Sequence, residues 1–321
     1  MYPLVFHPIF KERIWGGSKL STKLLKHVKG DLIGESWEIS GVPGSESVVS
    51  QGAYAGKSLA ELCSLYPEQM LGSEVVTRFG IEFPLLIKFI DAKQDLSIQL
   101  HPDDQLARRR HGSFGKTEMW YVMDADPGAQ LIVGFKRPVR PEEYQEALAA
   151  GTLTDLLHYQ DVKSGDTVFI PAGKIHAIGA GILLAEIQQS SDVTYRVYDF
   201  DRKDAEGNLR ELHTDLALDA MDFTCRDDFN VSYDRQRVNA PEMLVSSPYF
   251  VTRYIKLTQD KTFDLTQRSS LTILICVSGT LEVIVNGTSV SLQVGQTVLI
   301  PAAAPQMEIK SSDCTLLEVS I

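Results

Sequence analysis

Short apolar or alternating runs bounded by Gly, Pro and Asp dominate the chain. FPLLIKFIDA, LSIQLHP, EMWYVMDA, AQLIVGF, DTVFIP and VTYRVYDF are each about one strand long and rich in β-branched and aromatic residues. Helical spacing is confined to residues 58–70, weakened by Pro67, and residues 141–157, where Pro141 suits a first turn and Glu142 and Glu143 sit at the positive end of the helix dipole. The pattern predicts a mainly β protein, barrel or sandwich, with helices as excursions.

The chain also repeats itself. Residues 163–178 read KSGDTVFIPAGKIHAI and residues 293–308 read QVGQTVLIPAAAPQME. Placing Gly165 on Gly295 aligns Thr167-Val168 with Thr297-Val298 and Ile170-Pro171-Ala172 with Ile300-Pro301-Ala302. A strand pair precedes each copy, EMWYVMDADPGAQLIVGF in the first and LTILICVSGTLEVIVNG in the second. A hairpin followed by G-x-T-V-x-I-P is a unit of double-stranded β-helix (jelly-roll) barrels, so two barrels are expected. His176 aligns with Gln306, and Glu118 falls near Thr272, so the second copy keeps the shape without the ionisable groups. The polar stretch CRDDFNVSYDRQRVNAPE puts a boundary between about 225 and 245. Residues 1–235 are then a catalytic, metal-binding domain with short helical insertions, and residues 236–321 a degenerate barrel with packing or lid duties.

Polar residues concentrate on a few strands. In LSIQLHP, period-2 alternation aims Ser97, Gln99 and His101 to one side and Leu96, Ile98 and Leu100 to the other, as in a strand lining a polar pocket. Lys116 and Glu118 share a face by the same rule, and His176 lies just past a strand end. Two imidazoles and a carboxylate, with Gln99 added, suit zinc and also Fe, Mn or Co, leaving positions open to water or substrate. Glu186 and Gln188 alternate on one face; Asp192, Thr194 and Arg196 form another set. Charged groups inside strands are costly unless paired or used, and an Asp192–Arg196 pair is the structural alternative.

Composition narrows the function. Thirty-one basic against 42 acidic residues give a net charge of -11, which excludes a phosphate-backbone partner but leaves room for a small anion in a locally basic cleft. The run Arg108-Arg109-Arg110 reads as a solvated face. No run approaches the ~18–20 apolar residues of a membrane span, and MYPLVFHPIFKER does not read as a signal peptide, so a cytoplasmic protein is expected. Cys63, Cys225, Cys276 and Cys314 form no C-x-x-C pair and are expected reduced and partly buried.

LLIKFIDAKQDLSIQLHPDD, GKTEMWYV, GDTVFIPAGKIHAI and QSSDVTYRVYDFDR, with the early IWGG and GESWEIS, together resemble type I mannose-6-phosphate isomerases, at this length the short bacterial form. The resemblance implies two cupin barrels and a zinc enzyme, one ion per chain, that interconverts mannose 6-phosphate and fructose 6-phosphate. It places the metal ligands on His101, Glu118 and His176, with Gln99 fourth, the active-site arginine on Arg196, the motif lysine on Lys116, and strand carboxylates on Glu186 and Asp192. Thr117 stands where the family often has Pro, and the loop PDDQLARRRHG follows His101 where longer relatives often carry a lysine.

The implied chemistry moves a proton between C2 and C1 through an enediol. Either Glu186 or Lys116 could carry it; this reading gives the carbon-bound proton to Glu186 and the oxygen-bound protons or ring opening to Lys116. Arg196 would stabilise the enediolate and grip substrate, and Ser97 would touch the phosphate. The expected partner is a small phosphosugar, with no nucleic acid or membrane, in a monomer or homodimer. Two other functions use the same barrel: a metal-dependent cupin oxygenase, against which a Gln99 ligand argues, and a non-catalytic sugar-phosphate sensor, against which intact Lys116, Glu186 and Arg196 argue.

Overall fold

The computed structural model describes residues 1–30, 32–203, 207–224 and 230–321. Six strands run side by side in the order Ile9–Gly17, Ile33–Ser40, Leu85–Ala92, Ile182–Gln189, Glu118–Ala125 and Thr167–Ile170. Five more follow the order Tyr195–Tyr198, Ile98–Leu100, His176–Ile178, Gln130–Phe135 and Leu157–Asp161. One apolar cluster joins the two sheets across their inner faces, with Ile90, Trp120, Val122 and Leu184 from the first and Leu131, Val133 and Ile178 from the second. This is the first barrel. The second is built on the strand Thr272–Val285, which pairs with Cys314–Ser320, Gln306–Lys310, Thr288–Gln293 and Thr297–Ile300. That strand serves both walls because it bends at a bulge beside Gly279, whose φ of 75° and approach to Asp313 O (2.2 Å from an added Cβ) require glycine. The protein is mainly β and of the cupin type.

The internal repeat is visible in the register. Glu118 pairs with Ile170 as Thr272 pairs with Ile300, and the turns before Thr167 and Thr297 both use a left-handed glycine, Gly165 and Gly295.

Every residue of Leu85–Ala92 and Ile182–Gln189 is buried, so alternation divides two interiors rather than core from water. Ile90, Ala92, Ile182 and Leu184 fill the first barrel. Leu85, Ile87, Phe89, Leu183, Ala185 and Ile187 face the other way, onto Ile273, Ile275, Leu317 and Val319 of the second barrel's outer wall. The two barrels thus share a core.

The helices are shorter than the spacing suggests. Pro67 divides the first region into Leu59–Leu65, opened by a Ser58/Glu61 capping box, and Pro67–Leu71. The second stops at Ala149, since Gly151 turns left-handed, and the chain re-enters a strand at Leu157. Leu96 also departs from expectation: it lies outside the short strand Ile98–Leu100 and joins the barrel interior, whereas Ile98 and Leu100 face the layer under helices Asp104–His111, Pro141–Ala149 and Thr214–Ala220. Arg108 and Arg109 are exposed on the first of these helices, and Arg110 turns to Asp219. Cys63, Cys276 and Cys314 are buried free thiols, and Cys225, with the rest of 225–229, lies outside the described residues. No helix among the described residues is long and apolar enough to cross a membrane.

The shared core makes a prediction. Trp15, Trp37 and Trp120, the chain's three tryptophans, all lie before residue 121, so tryptophan fluorescence reports on the first barrel alone. Ile273→Ala, in the second barrel's outer wall, should cost roughly 2–5 kcal/mol and lower the urea midpoint by fluorescence as much as by circular dichroism. A fluorescence midpoint that stays put would show the barrels unfolding independently.

Candidate metal centre and active site

Three strand ends converge at one end of the first barrel. His101 directly follows Ile98–Leu100, Glu118 opens Glu118–Ala125, and His176 opens His176–Ile178. Each side chain is about 1% exposed, and one ligand atom from each lies within 4.8 Å of the others. His176 Nε2 is 3.3 Å from Glu118 Oε1, and His101 Nε2 is 3.5 Å from Glu118 Oε2.

Hydrogen bonds to the far side of each ring determine what faces inward. His101 Nδ1 lies 2.9 Å from Val193 O and His176 Nδ1 2.8 Å from Lys174 O. A carbonyl only accepts, so both protons sit on Nδ1 and both Nε2 lone pairs point to the centre. Burial, helped by the Lys116 ammonium, holds both imidazoles neutral: His101 well below its ordinary value and His176 at about 4, although the Lys174 carbonyl opposes this. His101 Nε2, His176 Nε2 and both Glu118 oxygens are buried without a hydrogen-bond partner. Four lone-pair-bearing atoms face one another with no donor among them. That arrangement fits a bound divalent cation and is costly without one. His101, Glu118 and His176 therefore form a cluster able to hold a metal ion.

Gln99 pairs in register with His176 and is half-buried, with its amide oxygen 3.4 Å from Ser97 Oγ. Arg196 pairs with Gln99 on the other side, and its Nε donates to Ser97 Oγ at 3.3 Å. Lys116 is buried with Nζ 3.6 Å from Glu118 Oε2. Lys116 thus stands beside the cluster, and Ser97, Gln99 and Arg196 form a linked set on the strands next to His176. Asp192 is not: it is exposed, before the strand that begins at Tyr195, and no ion pair joins it to Arg196 among the described residues. Glu186 lies deeper. Its Oε1 is 2.9 Å from Lys88 Nζ and its Oε2 accepts from Trp120 Nε1 at 2.8 Å, while the Trp120 ring meets His176 edge-on at 5.4 Å.

Lys88 went unnoticed in the sequence, though a lone lysine in the apolar run LLIKFIDA was its signal. Burial disfavours its charge, but Glu186, Glu35 and Glu118 more than offset this and raise its pKa. Burial and the Glu186 charge raise Glu118, against Lys116 and Lys88. Also unnoticed was a basic group beside Arg196. Asp199 is buried and receives Arg202 Nη2 at 2.6 Å and Arg210 Nε at 2.6 Å, and both guanidiniums are near enough to oppose the Arg196 charge. Among the described residues, three guanidiniums stand against two carboxylates, Asp199 and Glu211, so this group beside Arg196 is net positive.

The second barrel repeats part of this arrangement. By register, Arg253 faces Glu318 as Lys88 faces Glu186, and Arg253 Nη1 lies 3.2 Å from Glu318 Oε2. Thr272 holds the Glu118 place, and Gln306, in the place of His176, is exposed.

Paired barrels, the first of which carries the one buried His/Glu/His cluster among the described residues, define a cupin protein with a site able to hold a metal ion. Residues 4–128 match the family described as "Phosphomannose isomerase type I, catalytic domain", and residues 241–321 match "Mannose-6-phosphate isomerase, cupin domain". The chain is 34% identical to the probable mannose-6-phosphate isomerase GmuF of Bacillus subtilis across 97% of each protein. It is 40% identical to the mannose-6-phosphate isomerase of Streptococcus mutans across 77% of each. The crystal structure of the mannose 6-phosphate isomerase from Bacillus subtilis superposes with a TM-score of 0.91 over the whole of both chains at 32% identity. This chain belongs to the type I phosphomannose isomerase family, and with it to the isomerases. The oxygenase and sensor readings are set aside.

Glu35 at the rim of this network predicts a pH dependence. Burial opposes its charge, yet Lys88, Arg13 and the Trp37 N–H outweigh that and pull it down to about 2. A carboxylate depressed in the folded state stabilises fully above its unfolded value near 4.5 and loses that contribution as pH falls toward 2. The shift is worth roughly 3 kcal/mol. Acid titration of Glu35→Gln should show a shallower loss of stability between those pH values than the parent; an unchanged slope would contradict this.

Proposed function

We propose that this chain interconverts D-mannose 6-phosphate and D-fructose 6-phosphate through an enediol, with one zinc ion held by His101, Glu118 and His176 and Gln99 as the fourth ligand. The observation that carries this reading is the set of four unpartnered buried atoms at the mouth of a family-typical barrel. Bound there, zinc supplies positive charge next to the sugar oxygens, which lowers the cost of the oxyanion formed when the C–H beside the carbonyl ionises.

The chain's own groups do the rest. The anionic phosphate suits the mouth formed by Ser97, Arg196, Arg202 and Arg210. Arg196, adjacent in register to Gln99, is placed to grip the sugar and oppose charge on the enediolate. For the carbon-bound proton we now favour Lys116 over Glu186. Glu186 is held in an ion pair with Lys88 through Oε1 and accepts from Trp120 through Oε2, whereas Lys116 Nζ stands beside the cluster. The Lys116 ammonium must first give up a proton; the resulting amine at Nζ then takes the proton from C2 of the aldose and returns it to C1, while O1 gains a proton and O2 loses one. Glu186 then orients Trp120 against His176. Asp192, exposed and outside the strand, has no part in the transfer. We further propose that the chain divides near residue 235 into a catalytic and a degenerate barrel domain.

Two outcomes are expected. Mannose 6-phosphate incubated in D2O with the zinc-loaded protein should yield fructose 6-phosphate carrying solvent deuterium at C1. Lys116→Met should abolish both turnover and exchange while Glu186→Gln keeps part of each. No product, or product without deuterium, would refute the enediol reading, and exchange surviving in Lys116→Met would remove Lys116 from the transfer. Separately, Arg196→Ala should lower kcat by about 10²–10³ with metal content unchanged by mass spectrometry; near-normal kcat would exclude Arg196 from the mechanism.

A further inference from the structure

Arg196 lies on an edge. Its strand, Tyr195–Tyr198, ends the five-stranded sheet, and Ile98–Leu100 pairs with only one side of it. An edge strand leaves main-chain donors and acceptors open unless another segment supplies partners. For Arg196 a single residue supplies both. His213 N donates to Arg196 O at 2.7 Å, and Arg196 N donates to His213 Nδ1 at 3.2 Å. Two residues earlier, Glu211 O accepts from Arg196 Nη1 at 2.8 Å, while Arg196 Nε donates to Ser97 Oγ at 3.3 Å. The segment ending at His213 therefore holds Arg196 by its backbone and by its guanidinium together.

The imidazole is committed to this contact. An amide N–H donates, so Nδ1 is a bare acceptor and the neutral ring carries its proton on Nε2. His213 also starts the helix Thr214–Ala220, and its carbonyl accepts from Ala217 N at 2.8 Å. A residue in this place commonly turns its side chain onto the helix's own free N–H groups, and His213 makes no such bond. The helix is anchored by Ala217, buried in the layer over Ile98 and Leu100, and by the Arg110–Asp219 pair. Around the ring stand Arg196 on the strand, Glu211 on the approach and His111 at the end of helix Asp104–His111, with the Tyr195 ring 6.4 Å away. Burial, with Arg196 and His111, holds the imidazole below its ordinary value against the pull of Glu211.

We infer that His213 is a positioning residue for the isomerase reaction: as a neutral acceptor it completes the open edge beside Arg196 and fixes the backbone from which the guanidinium reaches the sugar. This rests on the reading of Arg196 as the group that grips substrate and opposes enediolate charge. A second proton on the ring turns Nδ1 into a donor facing the Arg196 N–H, and sets a cation beside the guanidinium. The bond is then lost, and with it the placement of Arg196, as pH falls through the folded-state value of His213, below 6.5. A small displacement of a group that must meet the transition state is enough to lower turnover.

His213→Asn presents Oδ1 at the same number of bonds from Cβ as Nδ1 and takes no proton, whereas His213→Leu removes the acceptor. For the zinc-loaded full chain at about pH 8, where histidine is neutral, His213→Asn should keep kcat within about twofold of the parent. His213→Leu should lower it about tenfold, with metal content unchanged in both. As pH is lowered to about 5, the parent should lose turnover faster than His213→Asn. The ratio of the two cancels whatever they share at the metal ligands or the substrate phosphate. Adding His213→Leu to Arg196→Ala should cost nothing further, because the first acts through the second. The inference is overturned if His213→Leu turns over like the parent, if His213→Asn is as impaired as His213→Leu, if the ratio stays flat with pH, or if the two losses multiply. A parent that leaves mannose 6-phosphate unchanged would refute the functional reading itself and this inference with it, which keeps the two failures apart.

Discussion

Two imidazole nitrogens and a carboxylate, all buried and all offering lone pairs to the same small space, impose the constraint on which the rest of the molecule depends. Left alone they lack the donors that buried polar atoms require, and a carboxylate in such a place is costly by several kcal/mol. The surroundings hold this arrangement in place rather than relieve it. The Val193 and Lys174 carbonyls lock both rings with Nε2 inward, burial keeps the rings neutral, and Lys116 stands at the edge without filling the centre. A cation is the species that satisfies every one of these groups together.

The second barrel serves as an internal control on which polar groups belong to chemistry and which to the barrel. It has Thr272 where Glu118 stands and an exposed Gln306 where His176 stands, yet it keeps a buried carboxylate, Glu318, paired across the same register step to a basic residue, Arg253. A pair retained where no metal ligands remain answers to the architecture. This supports treating Lys88–Glu186 as a brace behind the metal centre, with Trp120 passing its order on to His176, and it weakens Glu186 as a base.

Much of this was legible from the residues alone. Alternation in LSIQLHP and the loss of His176 and Glu118 from the repeat mark the cluster residues in the sequence itself, because strand period and repeat alignment are both local signals. What escaped depended on register. Lys88 meets Glu186 only because two distant strands pair antiparallel at that step; the lone lysine in LLIKFIDA marked one partner, and the similarity of LAEIQ to LLEVS, which aligns Glu186 with Glu318, hinted at the other. The Arg202–Asp199–Arg210 group lay within or just after VTYRVYDFDR, but its contacts arise from a turn in which Phe200 and Asp201 both adopt positive φ. Alternation also misled where it was carried past a strand end, at Leu96 and at Asp192.

The most direct test is diffraction from crystals grown with zinc, recorded on both sides of the zinc absorption edge. The account predicts a single strong anomalous peak per chain, within bonding distance of His101 Nε2, His176 Nε2 and the Glu118 carboxylate. A peak elsewhere, or none at that position with the three side chains arranged as described, would contradict it.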